Sequence, residues 1–172
     1  MTTTLWLGIS ANGMIADKNG EEDFLSEETG ELFVQQVQKT GCVIMGKTAY
    51  SRINKNLPGR KSSLQQVDKI FLTKTPHTAK DGWLSASSPQ ESIEMLASRG
   101  HKNITVTGGT KTASSFLTAN LINEVVLVIN PVLISPGYPI CTDGRLLTNL
   151  TLVSVQRKSN LIVVKYTVSN NR

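Results

Sequence analysis

The sequence predicts an α/β protein with a central, mostly parallel sheet, helices on both faces and an antiparallel hairpin at its C-terminal end. Three observations carry that expectation. Short apolar runs alternate with helical patterns from Thr3 to Leu117. Glycine, Asn and Pro punctuate them at element-length spacing. The last stretch, from Leu150 onward, holds two β-rich runs around a polar turn.

Taken in order, Thr3 to Ile9 reads as a first strand, followed by a long loop marked by Asn12-Gly13 and Lys18-Asn19-Gly20. Ser26 is placed to cap a helix whose first turn holds Glu27 and Glu28, where acids favour the dipole. Leu32, Phe33 and Val37 give that helix an apolar stripe, and Gly41 ends it. Cys42 to Met45 is a second strand, and a second helix is expected from about Thr48 to Asn54. Leu57 to Val67 is polar and loop-like, Lys69 to Leu72 is a third strand, and Trp83 to Ser85 is a short further one. Ser88-Pro89-Gln90-Glu91 forms a capping box with Pro at the first helical position, and Gly100 closes the helix that follows. Ile104 to Thr107 is a strand, and Ala113, Phe116 and Leu117 share one face of the next helix. Glu124 to Ile134 contains the run Val125 to Ile129, which suits a buried strand. Leu150 to Gln156 and Leu161 to Val168, joined by Lys158-Ser159-Asn160, form the hairpin. The whole chain, 1–172, is read as a single domain without repeats.

Composition narrows the function classes. Net charge is +5, but Lys and Arg are scattered and aromatics make up only 5%, so the clustered basic stripe of a nucleic-acid binder is missing. A modest positive field suits an anionic small ligand as well as it suits a polymer. Two cysteines without a C-x-x-C spacing signal neither zinc nor redox chemistry, and Cys42 reads as a buried small hydrophobe. His77 and His101 fall in polar loops and read as surface residues, so no metal site is expected. No apolar run is long enough to span a bilayer, and Met1 to Thr4 lacks the pattern of an export signal. The expectation is a cytoplasmic protein without membrane contact.

Two segments share one local design. Val43-Ile44-Met45-Gly46-Lys47-Thr48 and Ile104-Thr105-Val106-Thr107-Gly108-Gly109-Thr110-Lys111-Thr112 each run from an apolar strand through glycine to a helix start bearing hydroxyls and a lysine. A helix start offers unpaired N–H groups and a positive dipole end, and glycine lets a phosphate approach the backbone. Glycine at such a turn also serves the turn alone. Two such turns in one small domain point to a ligand with more than one phosphate, such as a dinucleotide. Neither is the G-x-G-x-x-G fingerprint of a Rossmann domain or a G-x-x-x-x-G-K-[ST] loop.

Val43-Ile44-Met45-Gly46-Lys47-Thr48, Leu57-Pro58-Gly59-Arg60, Ile70-Phe71-Leu72-Thr73 and Gly108-Gly109, in that order, resemble dihydrofolate reductases. Ser10-Ala11-Asn12-Gly13-Met14-Ile15-Ala16 and Leu121-Ile122-Asn123-Glu124-Val125 leading to Asn130-Pro131-Val132-Leu133 are more similar to the reductase domain of the bifunctional riboflavin-biosynthesis deaminase-reductase. The resemblance implies a dihydrofolate-reductase-like three-layer fold and a stand-alone reductase using NADPH on a small heterocyclic or carbonyl-like acceptor. It implies that Gly46, Lys47 and Thr48 hold phosphates of the adenosine half, that Thr73 and Lys74 meet the 2′-phosphate, and that Gly108, Gly109, Thr110 and Lys111 hold the pyrophosphate. Lysine beside a phosphomonoester agrees with NADPH over NADH. Ser10, Asn12 and Arg60 are the implied substrate contacts, Arg60 because it matches the carboxylate-binding arginine of folate enzymes.

The chain departs from both patterns at the proton-handling positions. Thr29 stands where dihydrofolate reductases carry an acid, with Glu28 nearby, and Asn12 stands where the riboflavin type carries Asp. An amide cannot transfer protons as a carboxylate does. The catalytic candidates are therefore Asn12, Glu28 and Thr29. A true dihydrofolate reductase and an NADPH-binding protein without turnover are the alternatives. The resemblance also implies a homodimer, with the β-rich C-terminus as its interface.

Overall fold

Side-chain alternation along the first strand sets the architecture. In the computed structural model, which describes residues 1–47, 49, 64–75, 82–142 and 147–169, strand β1 (Thr2–Ser10) is buried along nearly its whole length. Leu5, Leu7 and Ile9 point into one core and Trp6 into another. Such a strand needs cover on both faces, as a central parallel strand does.

The remaining elements supply it. Helix α1 (Glu27–Thr40) lays Phe33 and Val37 against Trp6, Val43 and Met45 on one face. Helices α2 (Pro89–Ser98) and α3 (Thr110–Thr118) bring Ile93, Leu96, Ala113 and Phe116 to the other. Strands β3 (Cys42–Gly46), β4 (Asp68–Leu72), β5 (Trp83–Ala86) and β6 (Asn103–Val106) join β1 in parallel pairings. Strand β7 (Glu124–Asn130) pairs in parallel with the other side of β1. The hairpin β9 (Asn149–Lys158) and β10 (Leu161–Ser169) then adds antiparallel through β10. The eight-stranded order is β5-β4-β3-β6-β1-β7-β10-β9. This is the dihydrofolate-reductase-like arrangement that the resemblance implies.

Local signals account for the ends of the helices. Ser26 accepts from the Thr29 N–H at the start of α1, and Gly41 closes it at φ 70°. Ser88 likewise accepts from the Glu91 N–H, with Pro89 in the first turn. The reciprocal half of that capping box reaches one residue further, since the Glu91 carboxylate also accepts from the N–H and hydroxyl of Ser87. The Ser87 hydroxyl and N–H, with the Ser88 N–H adding to them, hold its carboxyl below the usual range.

Several expectations change. The long loop after β1 contains a strand, β2 (Met14–Asp17), which pairs antiparallel with β8 (Gly137–Pro139). The run Val125 to Ile129, expected as a buried strand, forms β7 with one further residue at each end, and the chain turns after Asn130 so that β8 can form. Leu64, expected in a polar loop, is buried in the core with Val37 and Phe71. His101 is half-buried and lies 2.8 Å from an Asp68 carboxylate oxygen, while Arg99 donates to the other. That pairing spans 33 residues of sequence, and no local pattern announces it. Cys42 is fully buried as expected, and burial pushes its thiol up to about 11. The helix expected over 48–54 lies almost wholly outside the described residues, as does His77. Among the described residues no helix is long and apolar enough to cross a membrane.

Candidate active site

The strand order creates the site. Strands β3 and β6 lie side by side, yet the chain leaves them in opposite directions. Ala49, just after β3, packs into the core beneath α1, whereas α3, after β6, packs into the other core. A crevice at the carboxyl ends of two such strands is where open α/β sheets bind ligands. A cleft of about 600 Å³ opens there, running past the ends of β5, β4, β3 and β6 to the β2–β8 ribbon.

Its middle is built from the two glycine turns. The Thr107 N–H donates to Ile44 O at 2.8 Å, which draws the β6 turn against β3. A Cβ on Gly108 would lie 3.0 Å from the Gly46 nitrogen, and a Cβ on Gly46 would lie 2.5 Å from Thr112 Oγ1. The turns therefore touch, and what the sequence presents as two phosphate cradles is one continuous surface. Gly108 has φ +121°, which an L side chain rarely adopts. Gly109 is the N-cap of helix α3 and makes no side-chain cap bond, so the Thr110 and Lys111 N–H groups stand at the cleft without a helical acceptor. Gly46, Lys47, Gly109 and Lys111 line this part.

Thr110 lines it too, but its hydroxyl donates to Pro139 O, which leaves its backbone N–H as its donor toward a ligand. At the β4 end, the Thr73 N–H donates to Ala86 O, and a hydrogen-bonded turn between Thr73 and Thr75 carries Lys74 at its tip. Thr73, Lys74 and Ser87 line that end. The opposite end is formed by Ile15, Ala16 and Tyr138 of the ribbon, with Asn19 and Glu22 beside them. Lys47, Lys74 and Lys111 against the single carboxylate of Glu22 make the described lining cationic.

The expected cofactor contacts Gly46, Lys47, Thr73, Lys74, Gly109, Thr110 and Lys111 thus come together in one cleft. Gly108 stands just behind it as a packing residue, and Thr48 and Arg60 lie outside the described residues. The expected catalytic and substrate residues are placed elsewhere. Asn12 clasps the segment after β7, its Nδ2 donating to Ile134 O at 2.8 Å and its Oδ1 accepting from Ile134 N at 3.1 Å. Ser10 is buried and donates to Asn12 Oδ1 while accepting from Met14 N. Thr29 is buried and donates to Oδ1 of buried Asn130, whose amide donates to Ile9 O and Val128 O. Glu28 accepts from the Ser159 hydroxyl. None of these four lines the cleft.

Sequence reasoning did not single out Tyr138, Ser87 or Glu22, and it carried Thr112 only as the last residue of the second glycine segment. Glu22 sits in an acidic run that reads as solvated loop, and Tyr138 lies between Gly137 and Pro139 in a stretch without periodicity.

Fold and site together define a mostly parallel α/β domain with a cationic, glycine-floored cleft at the switch point of its sheet. The chain belongs to the RibD C-terminal domain family, whose model matches residues 2–164. It is 23% identical over 170 residues to the uncharacterized protein YwjB of Bacillus subtilis (strain 168), covering 95% of this chain and 96% of that one. Among solved structures it is similar to a protein of Shewanella sp. PV-4 provisionally named a riboflavin biosynthesis protein (TM-score 0.79, 19% identity, 99% of this chain and 100% of that one). It is also similar to the diaminohydroxyphosphoribosylaminopyrimidine deaminase/5-amino-6-(5-phosphoribosylamino)uracil reductase of Thermotoga maritima (TM-score 0.72, 16% identity). There it spans 98% of itself but 56% of the larger protein. At these identities the likeness is one of fold.

Proposed function

We propose that this protein is an NADPH-dependent reductase of the riboflavin-reductase-domain type, acting on a small heterocyclic or carbonyl-like acceptor. The observation that carries this reading is the graded chemistry along one cleft. A lysine and hydroxyls stand at the β4–β5 end, open helix N–H groups over bare glycine in the middle, and apolar side chains with an aromatic at the ribbon. That sequence of surfaces matches a phosphorylated adenosine, a pyrophosphate and a nicotinamide ring in turn.

On this reading Lys47, Lys111 and the first N–H groups of α3 hold the pyrophosphate, and Thr73, Lys74 and Ser87 hold the 2′-phosphate. When bound, the dihydronicotinamide supplies the hydride. The chain's part is to fix the distance between donor and acceptor and to exclude water. Asn12, Ser10, Thr29 and Asn130 serve this by bracing the ends of β1 and β7 behind the ribbon rather than by moving protons. Such a reductase would work in the cytoplasm, where reduced nicotinamide cofactor is generated. We also infer that two copies pair through the apolar face of the C-terminal hairpin.

The test is a titration with NADPH and NADH, following the fluorescence of Trp6 and Trp83, both buried in the core. Saturation with a preference for NADPH is expected. Lys74→Ala should weaken NADPH about tenfold, in the range of a lost charge-assisted hydrogen bond, and leave NADH unchanged. Absence of binding to either nucleotide refutes the reading. Binding without turnover of any acceptor in a broad screen would leave a nucleotide-binding protein instead, an outcome that the withdrawal of Asn12, Glu28 and Thr29 from the cleft makes specific.

A further inference from the structure

Tyr138 is an unusual side chain for a place with no core to join. It is 49% exposed, yet its backbone is held from both sides. On one side β8 presses against β2 so closely that a Cβ on Gly137 would lie 2.7 Å from Ala16 O. On the other, Pro139 O accepts the hydroxyl of Thr110, the first residue of α3. The ribbon is thereby fastened to the same helix start that floors the middle of the cleft.

Tyr138 pairs directly with Ala16 across the two strands, so both side chains project from the same face. That face is turned to the cleft, which both residues line. Tyr138 is the one aromatic among the described lining residues. A rigidly mounted aromatic facing an open cleft is a platform for a planar ring, because offset stacking needs a fixed plane and little else.

We propose that Tyr138 is the ring-recognition residue of the cleft, its phenol face packing on the nicotinamide ring of the bound dinucleotide. This rests on the reading of the cleft as a dinucleotide site and deepens it. Lys74 and Tyr138 mark opposite ends of the cleft, so the adenosine and nicotinamide halves have separate anchors. Thr110 acts as a positioning residue, since its hydroxyl holds the carbonyl next to Tyr138.

The test compares NADPH with 2′-phospho-ADP-ribose, which lacks the nicotinamide ring but keeps every phosphate. Tyr138→Ala should weaken NADPH about tenfold, the scale of one aromatic stacking contact, and leave 2′-phospho-ADP-ribose unchanged. Tyr138→Phe, which keeps the ring face, should bind both as the parent protein does. Thr110→Val should weaken NADPH selectively, by less. Equal losses for the two ligands in Tyr138→Ala would assign Tyr138 to support of the ribbon and overturn the proposal, as would no loss for either. If the parent protein binds 2′-phospho-ADP-ribose but gains nothing from the nicotinamide ring, the ring proposal fails while the phosphate site stands. If it binds neither, the dinucleotide reading itself fails.

Discussion

At the residue scale the glycines decide the most. Sequence alone offers two explanations for Gly46 and Gly108, close approach of a phosphate or the needs of a turn. The geometry adds a third, which is turn-to-turn packing. Gly46→Ala would drive a methyl into Thr112 Oγ1, at the end of a short side chain that can rotate. Gly108→Ala meets backbone, the Gly46 nitrogen, and carries a φ of +121° as well. The two substitutions should therefore separate. Gly108→Ala is expected to cost about 1–3 kcal/mol from backbone strain, read as a lower midpoint in urea unfolding. Gly46→Ala should cost less stability yet weaken NADPH at least as much, because the displaced Thr112 side chain moves toward the cleft. Equal stability losses with unchanged binding in both would mean that the glycines serve packing alone. The cradles were legible in the sequence because strand, glycine and helix start are adjacent there. Their contact was not, because some sixty residues separate Gly46 from Gly108. The same blindness explains Asn12 and Thr29. Their positions, matched to the proton-handling sites of the families the chain resembles, suggested chemistry, but their partners, Ile134 and Asn130, lie more than a hundred residues away and engage them structurally.

At the scale of elements, the pattern was readable wherever an apolar run between turn signals, an apolar stripe or a cap marks the element. Strands β1, β3, β6 and β10 and all three described helices fall where alternation, apolar stripes and caps put them. Strands β2 and β8 have four and three residues and exist because they meet each other, so neither shows a period of its own. Helix α2 gives a test of how much local chemistry contributes. Its start is held by the Glu91 carboxylate on Ser87, and those bonds lower the carboxyl's proton affinity in the folded state. A depressed folded value means that this contribution is fully present above the ordinary value near 4.5 and is lost as pH falls through the folded one. Glu91→Gln should therefore melt at a lower temperature than the parent protein at neutral pH, with the difference shrinking below pH 4.5. A difference that persists unchanged into acid would show that the carboxylate's charge contributes nothing. Ser87 lines the adenosine end of the cleft, so the same substitution tests whether this cap also steadies the site.

At the scale of the whole molecule the sheet is unevenly covered. Register places Leu150, Leu152 and Val155 of β9 opposite Val168, Tyr166 and Val164 of β10, so all six share one face, together with Ile162. The inner members reach the core: Tyr166 and Val168 pack against it and Val164 is buried. The outer ones do not, for Leu152, Val155 and Ile162 are 56%, 59% and 45% exposed. A contiguous apolar patch of this kind on an edge hairpin calls for a partner surface. Two modes are open to an edge strand, continuation of the sheet or packing face to face. Continuation is disfavoured by the irregularity at Val153, where the register shifts between Lys165 and Tyr166 and the ladder is broken. Face-to-face packing of two copies, related by a two-fold axis so that each patch covers its equal, satisfies both observations. Light scattering on the eluting protein should then give twice the 18.7 kDa chain mass. Leu152→Lys combined with Val155→Lys should give the single-chain mass, because charges on both copies would be forced together without partners. Neither residue lines the cleft, so NADPH binding to the monomeric variant should survive. A parent protein that remains monomeric at tens of micromolar (about the concentration of an ordinary sizing experiment, where even modest interfaces of about 8 kcal/mol hold) would reject the pairing. Loss of nucleotide binding in an otherwise folded monomer would instead show that the second copy supports the ribbon that carries Tyr138.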